Sequence, residues 1–167
     1  NDKMVPLQMC MVAATVANGG QMMQPYVVDA TLEHDGTVLS KTTPTVWKTP
    51  ISAGTAATLN GLMVGVVNKG TGKPMQLANG VQAAAKTGTA QLNASGEPQR
   101  SHAWIVGFAP AEAPEIAVAV IVENAGFGAA HAAETANTTA RVRADREGCR
   151  SVPEVRGAHG RNWENMA

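Results

Sequence analysis

Charge is scarce in this chain, and what there is cancels. Only 16% of the 167 residues are charged, thirteen basic against thirteen acidic. A nucleic-acid arm or a polybasic membrane-surface segment needs clustered excess positive charge, so both partner classes are disfavoured. Aromatic residues make up 4%, too few for a base-stacking platform. Cysteine occurs twice, at Cys10 and Cys149, which gives neither a disulfide framework nor a zinc-binding spacing. His34, His102, His131 and His159 are scattered without carboxylates or thiols at ligand spacing, so no metal site and no cofactor are expected. Residues 4–28 carry no charge. Their apolar part, residues 9–17, falls far short of the ~20 residues that a spanning helix needs. It also lacks the flanks of a signal peptide.

What is present suffices for one mixed domain. Hydrophobic residues form 44% of the chain, enough to build a core at this length. Residues 6–18 read as a helix with Pro6 in its first turn and Asn18-Gly19-Gly20 as its stop. Its apolar positions go round much of the circumference, which predicts packing on two sides. Strands are expected around residues 26–32 and from Val38, joined by an Asp35-Gly36 turn. An irregular connection through Trp47 follows. Ser52 should cap a second helix whose stripe is Leu59, Leu62, Met63, Val66 and Val67.

Three strands come next, over residues 81–91, 102–109 and 115–123. The five-residue link 110–114 suits an antiparallel hairpin rather than a helical crossover. The third strand is apolar on both parities, which places it inside a sheet covered on both faces. The expected class is α+β, an antiparallel sheet flanked by helices. From Gly126 the character changes. Residues 1–125 have six lysines and one arginine, whereas residues 126–167 have six arginines, no lysine and few large apolar residues. The chain therefore divides into 1–125 and a tail, 126–167, that reads as disordered or divergent.

One short motif carries chemistry. Lys86-Thr87-Gly88-Thr89 ends an apolar strand, and Lys-Thr-Gly is a signature of serine acyltransferases that act on penicillins and D-alanyl peptides. The tetrapeptide alone also suits an edge strand with a solvated lysine. Its neighbours extend the match: the 6–20 helix and its Gly-Gly stop, Gly70-Thr71-Gly72, Ala85 to Gln91, and His102 to Pro110 follow in order. Over residues 4–124 the chain resembles the C-terminal half of a class B penicillin-binding protein transpeptidase domain.

That resemblance implies an incomplete penicillin-binding/serine β-lactamase-like fold. It further implies a role in cross-linking cell-wall peptides by serine acyl transfer. The implied partners are a peptidoglycan stem peptide or a β-lactam, bound by Lys86, Thr87, Gly88 and Thr89. The backbone N–H of Thr89 would be one oxyanion-hole donor, a group typically worth ~3 kcal/mol of barrier. Lys86 supplies positive charge for a carboxylate, Thr87 and Thr89 share strand parity, and Gly88 clears space for a ligand.

The family's Ser-x-x-Lys nucleophile motif and its Ser-x-Asn motif do not occur in these 167 residues. Thr45-Val46-Trp47-Lys48 imitates only the spacing. No catalytic residue is assigned, and the chain by itself is expected to be inert. The missing N-terminal half of the domain becomes an expected partner, and membrane attachment would come only from an anchor upstream, at the extracytoplasmic face of a bacterial membrane. Alternatives are a non-catalytic β-lactam- or peptide-binding module, an inactive fragment, and a serine β-lactamase.

Overall fold

The computed structural model describes residues 4–77, 80–91, 101–125, 132 and 135–137. Its elements run α1 (Pro6–Ala17), β1 (Met22–Met23), β2 (Ala30–Leu32), β3 (Val38–Lys41), β4 (Val46–Lys48), α2 (Ala53–Lys69), a 3₁₀ turn (Lys73–Met75), β5 (Ala84–Gln91), β6 (Ser101–Ala109) and β7 (Ile116–Val122). The organising sheet is antiparallel, in the order β5-β6-β7. Two small ribbons, β1-β4 and β2-β3, lie outside it. This is the α+β arrangement expected from the sequence.

Both helices form for local reasons. At α1, Val5 offers no capping oxygen, but the Gln8 side chain accepts the Val5 amide at 3.2 Å and satisfies one orphan donor. Ser52 caps α2 by accepting the Thr55 amide at 3.1 Å. Its packed face is Ala56, Leu59, Met63, Val64 and Val67, while Leu62, included in the expected stripe, is 64% exposed. The buried stripe is therefore turned slightly from the one that large residues alone suggest.

The three-stranded sheet has apolar cover on both faces. Ala84, Phe108 and Ala117 pack with Val16 of α1 and with Leu59 and Met63 of α2. Ala85, Ala103, Ile105, Val118 and Val120 pack on the other side with Met75, Ala132 and Ala136. The apolar character of β7 on both parities is explained by this double cover. Its lateral place differs from expectation, because among the described residues β6 is the central strand and β7 pairs only with β6.

Alanine dominates the interior. Among the described residues, ten of the seventeen buried apolar ones are alanines, including Ala83, Ala84 and Ala85 in succession. Ala132 and Ala136, both helical and fully buried, come from the segment read as a disordered or divergent tail. Small side chains spaced by four residues make a close-packing face without a stripe of large apolar residues. The rest of that reading concerns residues outside those described.

Three further differences have physical causes. The segment around Trp47 is a strand, β4, paired with β1; two- and three-residue strands carry no alternation long enough to read. The first long strand begins at Ala84 rather than residue 81, because the Gln82 carbonyl accepts the Ala111 amide at 2.7 Å instead of joining the ladder. Finally, α1 is covered on two sides only toward its C-terminal end: Ala13 and Thr15, which lie on opposite faces of the helix, are both buried together with Val16, but Leu7 is 57% and Val12 43% exposed, so one face stays open nearer the N-terminus. That open face borders a cavity of about 510 Å3 lined by Met4, Leu7, Met11, Met22, Pro25 and Trp47 among others.

Gly107 fixes the spacing of β5 and β6. A Cβ there would lie 2.7 Å from the Ala84 carbonyl oxygen and 3.1 Å from Ala85 Cβ. Gly107→Ala should therefore destabilise by about 1–3 kcal/mol. By contrast, Gly65, inside α2 with nothing within 4 Å, should gain up to about 1 kcal/mol as Gly65→Ala. Urea unfolding midpoints of the two variants shifting in the same direction would refute this account.

Candidate active site

The site is built on the outer strand of the sheet. β5 pairs on one side with β6 in the register Lys86↔Val106, Thr87↔Ile105, Gly88↔Trp104 and Thr89↔Ala103. Among the described residues no strand pairs along its other side. The strand passes from full burial at Ala83, Ala84 and Ala85 to exposure at Lys86, Gly88 and Thr89. Its first half is thus an anchor and its second half is presented to solvent. An outer strand of this kind offers backbone N–H and C=O groups to an extended peptide.

Side-chain alternation divides the tetrapeptide. Lys86 and Gly88 share parity with Ala84, which packs against α1 and α2. Thr87 and Thr89 share parity with Ala85, which packs with Val67 and Met75. The Lys86 ammonium donates to the carbonyl of Thr87. Thr87 is half-buried, and its hydroxyl lies 2.6 Å from that of Thr71. All four residues named from the sequence therefore lie together on one accessible stretch of strand.

Thr71 joins this group although sequence spacing alone did not assign it a place. Gly70-Thr71-Gly72 could be noted as a segment, but nothing in it shows contact with a strand sixteen residues downstream. The loop returns to β5 because the Gly70 and Gly72 amides both donate to the Val66 carbonyl at 3.0 Å, turning the chain sharply at the end of α2.

The remaining candidates lie elsewhere. His102 accepts the Asn124 amide at Nδ1, 3.0 Å away, as a hydrogen-bonded residue of β6. Cys10 is half-buried and its thiol donates to the Ala117 carbonyl at 3.5 Å; burial pushes its pKa up, which suits an inert thiol rather than a nucleophile. Thr45 to Lys48 falls at β4 in a separate ribbon, with the Lys48 ammonium 3.9 Å from the Trp47 ring centroid. Among the described residues no three His, Cys, Asp or Glu side chains gather as a metal site, and no helix is long and apolar enough to cross a membrane.

Gly88 shows how site and fold separate. A Cβ at this position would meet only Trp104 Cβ, at 3.4 Å, so the fold tolerates a methyl group there. Gly88→Ala should keep the unfolding midpoint within about 0.5 kcal/mol of the parent, as for other exposed positions. A thermal melt showing a loss of 2 kcal/mol or more would mean that the glycine serves the sheet rather than a ligand.

Residues 2–141 match the family model described as the penicillin binding protein transpeptidase domain. The match runs past the compositional change at Gly126. A curated relative, peptidoglycan D,D-transpeptidase PbpA of Mycolicibacterium smegmatis, is 43% identical over 123 residues, covering 74% of this chain and 25% of the relative. Among solved structures, penicillin-binding protein A from M. tuberculosis as an imipenem acyl-enzyme complex superposes with a TM-score of 0.72 at 39% identity, covering 85% of this chain and 31% of that one. The D,D-transpeptidase domain of a peptidoglycan glycosyltransferase from Eggerthella lenta gives a TM-score of 0.74 at 33% identity, covering 85% and 32%. The chain spans about a quarter of the length of these curated relatives.

Proposed function

The chain belongs to the penicillin-binding protein transpeptidase family, and from that membership we propose that it forms the Lys-Thr-Gly side of a peptidoglycan D,D-transpeptidase site. The observation that carries this reading is the exposed half of β5, where Lys86, Thr87, Gly88 and Thr89 stand on an outer strand. The substrate is an extended peptide ending in a carboxylate, the D-alanyl end of a stem peptide. A β-lactam occupies the same place, as the acyl-enzyme structure of the M. tuberculosis relative supports.

Each residue has a task that follows from its chemistry. β5 pairs its free edge with the peptide backbone, which aligns the scissile carbonyl. Lys86 draws the carboxylate by charge and raises the local positive potential at the acyl-transfer centre. Thr87 and Thr89 donate hydroxyl bonds to the bound group. The Thr89 amide stabilises the oxyanion as the carbonyl becomes tetrahedral. Gly88 leaves room for the ligand to lie against the strand.

The nucleophilic serine and its base come from a region outside these 167 residues, since neither Ser-x-x-Lys nor Ser-x-Asn occurs in them. The open apolar face of α1 gives such a region a surface to bury. The complete protein works at the extracytoplasmic face of the bacterial membrane, where peptidoglycan is cross-linked.

Fluorescent penicillin labelling tests this reading. The chain alone should take no covalent label, and a labelled band would overturn the assignment of the serine elsewhere. In the transpeptidase that carries this chain together with its serine, Lys86→Ala should slow acylation by about a hundredfold, comparable to losing one stabilising donor. A rate equal to that of the parent would remove Lys86 from the site.

A further inference from the structure

Thr71 stands in the loop between α2 and the 3₁₀ turn, a segment held on both sides. Before it, the Gly70 and Gly72 amides converge on the Val66 carbonyl. A Cβ at Gly70 would approach that oxygen to 2.9 Å, and one at Gly72 would come 3.0 Å from Val66 Cγ1. Only glycine lets the chain wrap so closely, and the wrap leaves Thr71 exposed at its crest. After it, the Met75 amide donates to the Gly72 carbonyl at 2.8 Å, and the Met75 side chain is fully buried. Asn137 then donates from Nδ2 to the Pro74 carbonyl at 2.7 Å and the Gln76 carbonyl at 2.9 Å. Thr71 is thus a side chain of few rotamers on a fixed backbone, with its hydroxyl 2.6 Å from that of Thr87.

Resting on the transpeptidase reading above, we propose that Thr71 is a positioning residue that aims the Thr87 hydroxyl at the carboxylate of the bound peptide or β-lactam. A carboxylate has acceptors only, so Thr87 must be the hydrogen-bond donor to it. The bond between the two threonines then has one possible direction: Thr71 donates to Thr87, and Thr87 donates to the ligand. A hydroxyl that accepts one bond is polarised to donate the next more strongly. The two hydroxyls therefore act as a short relay, with Thr71 selecting the direction without touching the ligand.

The test is a double-mutant cycle on penicillin acylation in the transpeptidase that carries this chain with its serine. Thr71→Val keeps the β-branched shape and removes the hydroxyl; it should slow second-order acylation about tenfold, the usual value of one such bond. Thr71→Ser should stay within about threefold of the parent. Added to Thr87→Val, the Thr71→Val change should cost less than about twofold more, because its target is gone. Multiplying losses in the double variant, or a parent-like rate for Thr71→Val, would overturn the relay. A Thr71→Ser rate as low as that of Thr71→Val would also overturn it, in favour of a role confined to the shape of the loop. A parent protein that is not acylated at all would instead overturn the transpeptidase reading, and this inference with it.

Discussion

Among the described residues β5 pairs only with β6, and this is the constraint on which the candidate site depends. One ladder holds the strand to the body, and no other described strand pairs with the opposite row of backbone groups. The ladder is tight at its buried end. Gly107 lets the Ala84 carbonyl come to a distance that no side chain would allow, and the Ala111 amide closes off the Gln82 carbonyl just before the strand starts. The accessible half of β5 therefore extends from a buried, closely packed root. Its backbone can be ordered without being covered, as an outer strand that receives a peptide requires.

The loop at the end of α2 supports this strand from outside the sheet. The Val66 carbonyl gathers two amides, Met75 enters the core, and Asn137 grips two carbonyls of the same loop. These contacts join three parts of the chain that are far apart in sequence: the end of α2, the Lys-Thr-Gly strand and a helical segment near residue 137. That segment is poor in large apolar residues, yet Ala132 and Ala136 fill the core on the same side as Ala85. Order there comes from close contact between small groups and from one doubly bonded amide, not from the area of large side chains.

Much of this was legible beforehand, for reasons that differ from element to element. α2 announces itself through Ser52 and through Leu59, Met63 and Val67 at helical spacing. The sheet strands show in their apolar runs and the five-residue link between β6 and β7. The motif at Lys86 to Thr89 is legible because its residue types are dictated by chemistry. Less accessible were features that depend on partners remote in sequence. The β1-β4 ribbon is too short for a period, and the Thr71 to Thr87 bond crosses a loop. The open face on the N-terminal part of α1 could not be inferred, since its apolar residues read the same whether covered or open. The alanines at 132 and 136 leave no mark in the pattern of large apolar residues, because a face made of methyl groups has no such pattern.

An interior faced with methyl groups has an asymmetric tolerance to change. Replacing Ala83, Ala84 or Ala85 by something smaller removes almost nothing, but replacing them by something larger has nowhere to put the added atoms. Divergence at the buried root of β5 is blocked in the direction of growth and empty in the direction of loss. Under the proposed function, heritable changes that alter how a ligand is received fall on the solvent half of the strand and on the loops beside it. The root remains a page with no margin.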